Sequence, residues 1–213
     1  MFSFASIENF DEHIDNSIFG YSTLNDSIVK MSEYFIEDGA NVYDIGCSTG
    51  ELLQRLKNRH SNSKYFGIEQ EKNIIKQRVD INILQLDIRD INIFNNASFI
   101  TSVFTLQFIN KKDRQGIIDK VYKGLNSGGG FIIAEKIISD SAKIQDIFTF
   151  QYYDFKAKNF TSDEILSKER DLRKIMKPST LQDNIEMLSS AGFKTYDVFW
   201  KSFNFIAILA IKD

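Results

Sequence analysis

Short apolar runs alternate along the chain with stretches whose apolar residues recur every three or four positions. The runs predict strands over residues 41–46, 64–70, 81–88, 98–106 and 130–137, and the 3.6-residue pattern predicts helices over 50–60, 71–80 and 112–125. Before them, residues 25–36 place Ile28, Met31, Tyr34 and Phe35 on one helix face, and Asp38-Gly39 ends that face. After Ile138 the pattern changes to helices over 142–159, 161–176 and 180–193, followed by two strands, 194–202 and 204–212, joined by a tight turn. Strands alternating with amphipathic helices predict an α/β chain with a mostly parallel seven-stranded sheet covered on both faces. A terminal antiparallel hairpin makes that sheet mixed. The expected organisation is one domain over residues 1–213, with a helical N-terminal cap over 1–40 and a helical insertion over 139–178.

Composition narrows the class. The chain has 213 residues, 43% hydrophobic and 26% charged, which is ordinary for a globular domain. No apolar run approaches the ~20 residues that span a bilayer, and the acidic N-terminus lacks the basic flank of a signal peptide. The single Cys47 allows no internal disulfide and fits a reducing cytoplasm. A net charge of −3 argues against direct nucleic-acid binding. The densest basic stretch, residues 167–177, is diluted by Glu169 and Asp171 and reads as a mostly solvated helix face.

Candidate chemistry gathers where strands end. "DIGCSTG", residues 44–50, links the first strand to a helix with the spacing D-x-G-x-x-x-G. The dinucleotide fingerprint has closer glycines that let a pyrophosphate reach a helix N-terminus. The wider spacing and Asp44 favour a ligand with a positive or zwitterionic group. Glu69 ends the second strand, 19 residues beyond Gly50, where a carboxylate accepts the two hydroxyls of a ribose. Asp87, beside Ile88, ends the third, within reach of an adenine amino group. Three acids closing three successive strands thus each have one part of an adenosine to bind.

This constellation resembles the Rossmann-like class I S-adenosyl-L-methionine (SAM)-dependent methyltransferase fold. A closer resemblance is to the carboxy-S-adenosyl-L-methionine synthase family. It rests on "GYSTLNDSIVKM", "VYDIGCSTG", "DIRDI", "FTLQFI", "VYKGLNSGGGFIIAEKI", "YDFKAKN", "ILSKERDLRKIM" and "AGFKTYDVFWKSFNF", which span about Phe10 to Phe205. The resemblance implies that SAM and prephenate become carboxy-SAM and phenylpyruvate, for a later tRNA wobble-uridine modification. Prephenate loses carbon dioxide, the sulfonium methyl loses a proton, and the resulting ylide captures the carbon dioxide. The hydroxyl that prephenate releases takes the proton, so no protein base is implied.

By position, the resemblance assigns Tyr21 a ligand contact. It gives Asp44, Gly46, Cys47 and Ser48 the methionine part, Glu69 and Gln70 the ribose, and Asp87 and Ile88 the adenine. Arg170 takes the new carboxylate, reaching in from the partner subunit of a homodimer. Three departures stand out: Glu69-Gln70 replaces Asp-Asn, Val103 replaces an Asn, and Ile18-Phe19-Gly20 replaces Val-Pro-Gly. The N-terminus is also shorter than the family's, so the lid it forms is expected to differ. His13 and His60 read as structural or solvated, and Cys47 as packing. The aromatic run from Phe148 to Phe155 suits a pocket wall, a dimer contact or plain core. No metal-ligand spacing occurs. Two alternatives stay open: an ordinary methyltransferase acting on a small molecule, and a non-enzymatic SAM-binding or tRNA-associated module.

Overall fold

The computed structural model describes residues 9–92 and 94–213, so the first eight residues of the expected N-terminal cap lie outside it. The strands are β1 (Asn41–Ile45), β2 (Lys64–Glu69), β3 (Ile81–Gln85), β4 (Ala97–Val103), β5 (Leu125–Lys136), β6 (Thr195–Ser202) and β7 (Phe205–Ile211). They form one seven-stranded sheet in the order β3-β2-β1-β4-β5-β7-β6. β7 runs antiparallel to β5 and β6, and every other pairing is parallel. The order reverses between β1 and β4, and ligands of open α/β sheets bind at the carboxyl ends beside such a reversal.

The helices are α1 (Phe10–Ser17), α2 (Tyr21–Met31), α3 (Glu51–Arg59), α4 (Lys111–Gly124), α5 (Ala142–Lys156), α6 (Ser162–Ile175) and α7 (Leu181–Ala191). Thr161 with Glu164, and Thr180 with Asp183, form capping boxes that fix the starts of α6 and α7. Among the described residues no helix is long and apolar enough to cross a membrane.

Period-two alternation divides the core into two layers. Tyr43, Ile45, Phe131, Ile133, Ile206 and Ile208 pack with Ile117, Ile118 and Val121 of α4 and Leu188 of α7. Val42, Phe99, Ile132, Ala134 and Ala207 pack with Leu24 and Ile28 of α2 and Leu53 and Leu56 of α3. Each fully buried Leu or Ile contributes about 1.5–3 kcal/mol through removal from water. These layers hold the strand ends, and the site, in fixed register.

The helix expected over residues 71–80 is not formed. One 3-10 turn, Lys72–Ile74, stands there instead. Local carboxylates capture its backbone donors: Glu69 Oε1 accepts the Glu71 N–H at 2.9 Å and Glu71 Oε1 accepts the Asn73 N–H at 3.2 Å. Arg78 then leaves the segment to donate to the Thr49 carbonyl at 2.7 Å and to Glu51 at 2.9 Å. Asp80 closes the segment at φ 57°, which no helix continues.

Candidate active site

A cavity of about 580 Å³ opens at the carboxyl ends of β1 to β5, beneath α1, the start of α2 and one side of α6. All but one of the residues given a place in the binding site by the resemblance line it: Tyr21, Asp44, Gly46, Cys47, Ser48, Glu69, Gln70, Asp87, Ile88 and Val103. The exception is Arg170, which is exposed on α6 and does not line the cavity of its own chain.

Asp44 pairs in register with Gly67 of β2 and Thr101 of β4, and its carboxylate accepts the Thr101 hydroxyl at 2.7 Å. Burial pushes its pKa up to about 7, the nearby charge of Glu69 adds to this, and the Thr101 bond opposes it. Gly46 follows at φ 71°, with the Thr105 hydroxyl 2.2 Å from where a Cβ would stand. Thr105 is fixed there by donating to the Ile45 carbonyl at 3.0 Å. Cys47 is buried with its sulfur 2.4 Å from a Cβ placed on Gly67, so the loop lies directly on β2. Burial raises the Cys47 thiol far above its usual range. Ser48 adopts φ 52°, and its hydroxyl oxygen is buried without a hydrogen-bond partner among the described residues.

Glu69 ties the loop to β2. Its Oε2 accepts the Ser48 N–H at 3.0 Å while Oε1 accepts the Glu71 N–H. Gln70 is exposed at the cavity mouth. Asp87 is forked by the Arg89 guanidinium at 2.6–3.1 Å, which holds its carboxyl below the usual range. Ile88 is buried beside it. Tyr21 begins α2 and faces Phe104 with ring centroids 6.2 Å apart. Burial raises its hydroxyl to about 12. Val103 ends β4 and presents no polar side chain to the cavity.

The "FTLQF" stretch, residues 104–108, forms the turn after β4 and is clamped from behind. Glu135 Oε1 accepts the Leu106 N–H at 2.9 Å, and the Gln107 side chain accepts the Lys136 N–H at 2.7 Å. The buried Arg114 donates to the Gln107, Ile109 and Lys177 carbonyls. Glu135 is buried, which pushes its pKa up to about 8 against the pull of Arg114.

Several occupants of the site carry little signal in the sequence. The stretch 167–177 is less solvated than expected: Lys168 lines the cavity and Glu169 is buried. The reason is helical phase, since α6 turns Ile165, Lys168, Glu169 and Leu172 inward and Leu166 and Arg170 outward. Lys136 and Tyr152 also line the cavity, and Tyr152 alone of the aromatic run does so. His13 lines it too and meets Lys168 Nζ. Burial first, then Lys168, lowers His13 to about 4. His60 caps α3, with Nε2 2.9 Å from the Ser32 hydroxyl.

Both raised acids set a pH dependence. A buried carboxyl that prefers to be neutral favours folding below the ordinary carboxylate range and loses that contribution as pH rises through its folded pKa. The thermal midpoint of the ligand-free protein is therefore expected to fall between about pH 4 and 8, the window set by Asp44 and Glu135. A cationic ligand favours ionised Asp44, so its affinity is expected to weaken by up to about tenfold per unit below pH 7. Calorimetric titration with SAM at pH 5.5, 6.5 and 7.5 checks this. A flat profile in the native protein, or an equal slope in Asp44→Asn, removes Asp44 from the account.

Comparison with known proteins agrees with this geometry. A methyltransferase-domain family matches residues 42–129. The carboxy-S-adenosyl-L-methionine synthase of Staphylococcus epidermidis is 39% identical over 213 residues, which cover 95% of this chain and 92% of that protein. The enzyme of the same name from Colwellia psychrerythraea is 36% identical, with 97% and 89% covered. Among solved structures, human N-acetylserotonin methyltransferase in complex with SAM superposes with a TM-score of 0.60 at 15% identity, over 90% of this chain and 52% of that one. At that identity the likeness concerns the fold.

Proposed function

Because this chain belongs to the carboxy-S-adenosyl-L-methionine synthase family of transferases, we propose that its cavity holds SAM together with prephenate and joins them. The observation that carries this reading is the row of carboxylates, Asp44, Glu69 and Asp87, around one cavity of about 580 Å³, within the range of sites for drug-sized ligands. A sulfonium and an α-ammonium group are cationic, and an acidic strand-end cradle suits them. The orphaned Ser48 hydroxyl and the bare Gly46 backbone fit the methionine part. Glu69 with Gln70 receives the ribose, and Asp87 with the Ile88 backbone receives the adenine. Tyr21 and Val103 wall the reacting end.

The overall exchange moves carbon dioxide from prephenate to the sulfonium methyl and releases phenylpyruvate and water. The protein's part is placement and exclusion of solvent. α1 is strapped over the cavity, since Asp11 accepts the Thr49 hydroxyl at 2.7 Å and Lys76 at 3.2 Å. The product serves a tRNA wobble-uridine modification carried out elsewhere, consistent with a net charge of −3 here.

Arg170 pairs with the new carboxylate from a second copy of the chain. Two features support this. Arg170 shares an exposed face with Leu166, and α5 exposes Ile144, Ile147 and Phe150. An apolar stripe of that kind belongs to an interface. Arg170→Ala is expected to lower retention of carboxy-SAM by ten- to a hundredfold, as for loss of a bidentate charged pair, and to leave SAM affinity unchanged. Mixing Arg170→Ala subunits with Glu69→Ala subunits should restore part of the turnover. Equal retention by Arg170→Ala, or no recovery on mixing, removes the role in trans.

The central test is mass spectrometry of the small molecule released from denatured protein after incubation with SAM, with and without prephenate. A species heavier than SAM by one carbon dioxide, growing only with prephenate, is expected. SAM or S-adenosylhomocysteine alone, regardless of prephenate, would overturn the reading in favour of an ordinary methyltransferase.

A further inference from the structure

Arg89 lines the cavity two residues beyond Asp87 and grips its carboxylate with three N–H groups. The backbone N–H donates to Oδ1 at 2.9 Å, which caps the 3-10 turn Ile88–Asp90. Nε donates to both oxygens, at 3.0 and 3.1 Å, and Nη2 donates to Oδ2 at 2.6 Å. The guanidinium thus lies along the carboxylate as a fork.

Arg89 is itself braced by α4. Its carbonyl accepts Lys120 Nζ at 2.9 Å, and the same ammonium donates to the Ile91 carbonyl at 2.7 Å. On the far side of the guanidinium, Nη1 lies 3.7 Å from Asp113 Oδ2. Neither Lys120 nor Asp113 lines the cavity. The fork is therefore held from outside the site and presents Asp87 to it.

Stability does not account for this arrangement. The Arg89 side chain is 51% exposed and that of Asp87 22%, and exposed ion pairs contribute little to folding. What a fork supplies is direction: a free Asp side chain rotates, whereas a forked carboxylate keeps one plane. An ionised carboxylate offers about four lone-pair sites. The N–H groups of Arg89 take three, because Nε is shared between the oxygens. One acceptor site remains for a ligand. It stays an acceptor, because the bonds from Arg89 hold the carboxyl below its usual range and leave it no proton to donate.

We propose that Arg89 is a positioning residue that keeps Asp87 as one fixed acceptor and so makes this seat selective for a base with an exocyclic amino group. The proposal rests on the reading that Asp87 and the Ile88 backbone receive the adenine, and deepens it by naming what sets the selectivity there. A purine with a keto oxygen in place of the amino group opposes acceptor to acceptor at Asp87. Its protonated ring nitrogen then opposes donor to donor at the Ile88 N–H. A polar group left unpaired in this way is costly.

The test compares two ligands, S-adenosylhomocysteine and S-inosylhomocysteine, by calorimetric titration into the full chain and its variants. The native protein is expected to prefer the adenine ligand by about a hundredfold or more. Asp87→Asn, whose amide offers a donor as well as an acceptor, should bring the two affinities within about threefold of each other. Arg89→Met is expected to weaken the adenine ligand about tenfold and the inosine ligand far less, so that the preference narrows. Arg89→Lys should fall between Arg89→Met and the native protein, since an ammonium keeps the charge without the fork. In the Asp87→Asn background, Arg89→Met should leave the preference where it is. Thermal midpoints near the native value are expected throughout, because the pair is exposed. Suppose Asp87→Asn abolishes the preference but Arg89→Met keeps it, weakens both ligands equally or tightens the adenine ligand. Arg89 then has no positioning role, and the adenine seat stands. If instead the native protein binds both ligands alike, or neither, or Asp87→Asn keeps the native preference, the adenine seat falls and the role of Arg89 with it.

Discussion

Glu69→Ala is expected to weaken SAM binding by at least about a hundredfold. The carboxylate accepts the Ser48 N–H at 3.0 Å and the Glu71 N–H at 2.9 Å, so it fixes the glycine loop against the end of β2 before any ligand arrives. Hydrogen bonds to a charged group contribute about 1.5–3 kcal/mol each. Losing loop order and the proposed ribose contact together exceeds the ~2.7 kcal/mol that corresponds to a hundredfold. Glu69→Gln keeps an acceptor but not the charge and should lose about tenfold. Titration of SAM into each variant measures this, with thermal midpoints as the control for folding. A Glu69→Ala affinity within threefold of the native value would show that neither the clamp nor the ribose contact matters.

Gly46→Ala is expected to be severely damaging for a single added methyl. The added carbon would stand 2.2 Å from the Thr105 hydroxyl and 2.5 Å from its methyl, on a residue at φ 71°. Left-handed backbone costs a non-glycine residue about 1–2 kcal/mol, and overpacking a well-filled site about 1–3 kcal/mol. For a chain of 213 residues that is a drop in thermal midpoint of about 5–15 °C, with loss of SAM binding even in the folded fraction. The second substitution Thr105→Ala removes the two closest atoms, so the double variant should recover part of the midpoint while the backbone term stays. A single variant with unchanged midpoint and affinity contradicts the close approach of β1 to the "FTLQF" turn.

The two periodicities made the architecture legible. Strand positions such as 42–45 and 131–134 alternate between the two core layers, and α4 and α7 show plain apolar stripes. The acidic rim was legible as well, because Asp44, Glu69 and Asp87 each close a strand, and strand ends converge. The region over 71–80 misled because its apolar spacing is helical while Glu69 and Glu71 take backbone N–H groups of the segment and Arg78 reaches out of it to the Thr49 carbonyl. The lysine end left little trace. Lys136 looks like an ordinary strand terminus, and Lys156 and Lys168 lie on different helices. Only the packing of α5 and α6 over β5 brings Lys136 and Lys156 onto Glu169 and sets Lys168 against His13 and Ser17. The one available hint was "AEKI", where two charged residues follow a fully apolar strand interior.

Cys47 occupies the centre of the ligand loop, yet it is sealed under the loop, and burial holds its thiol neutral. Peroxide and disulfide exchange act on exposed thiolates. A glycine loop of the same shape with an open, acidic thiol would tie SAM binding to the oxidation state of its surroundings. Here the sulfur is packing material against Gly67, and oxidative stress finds no handle on the loop proposed to hold the ligand.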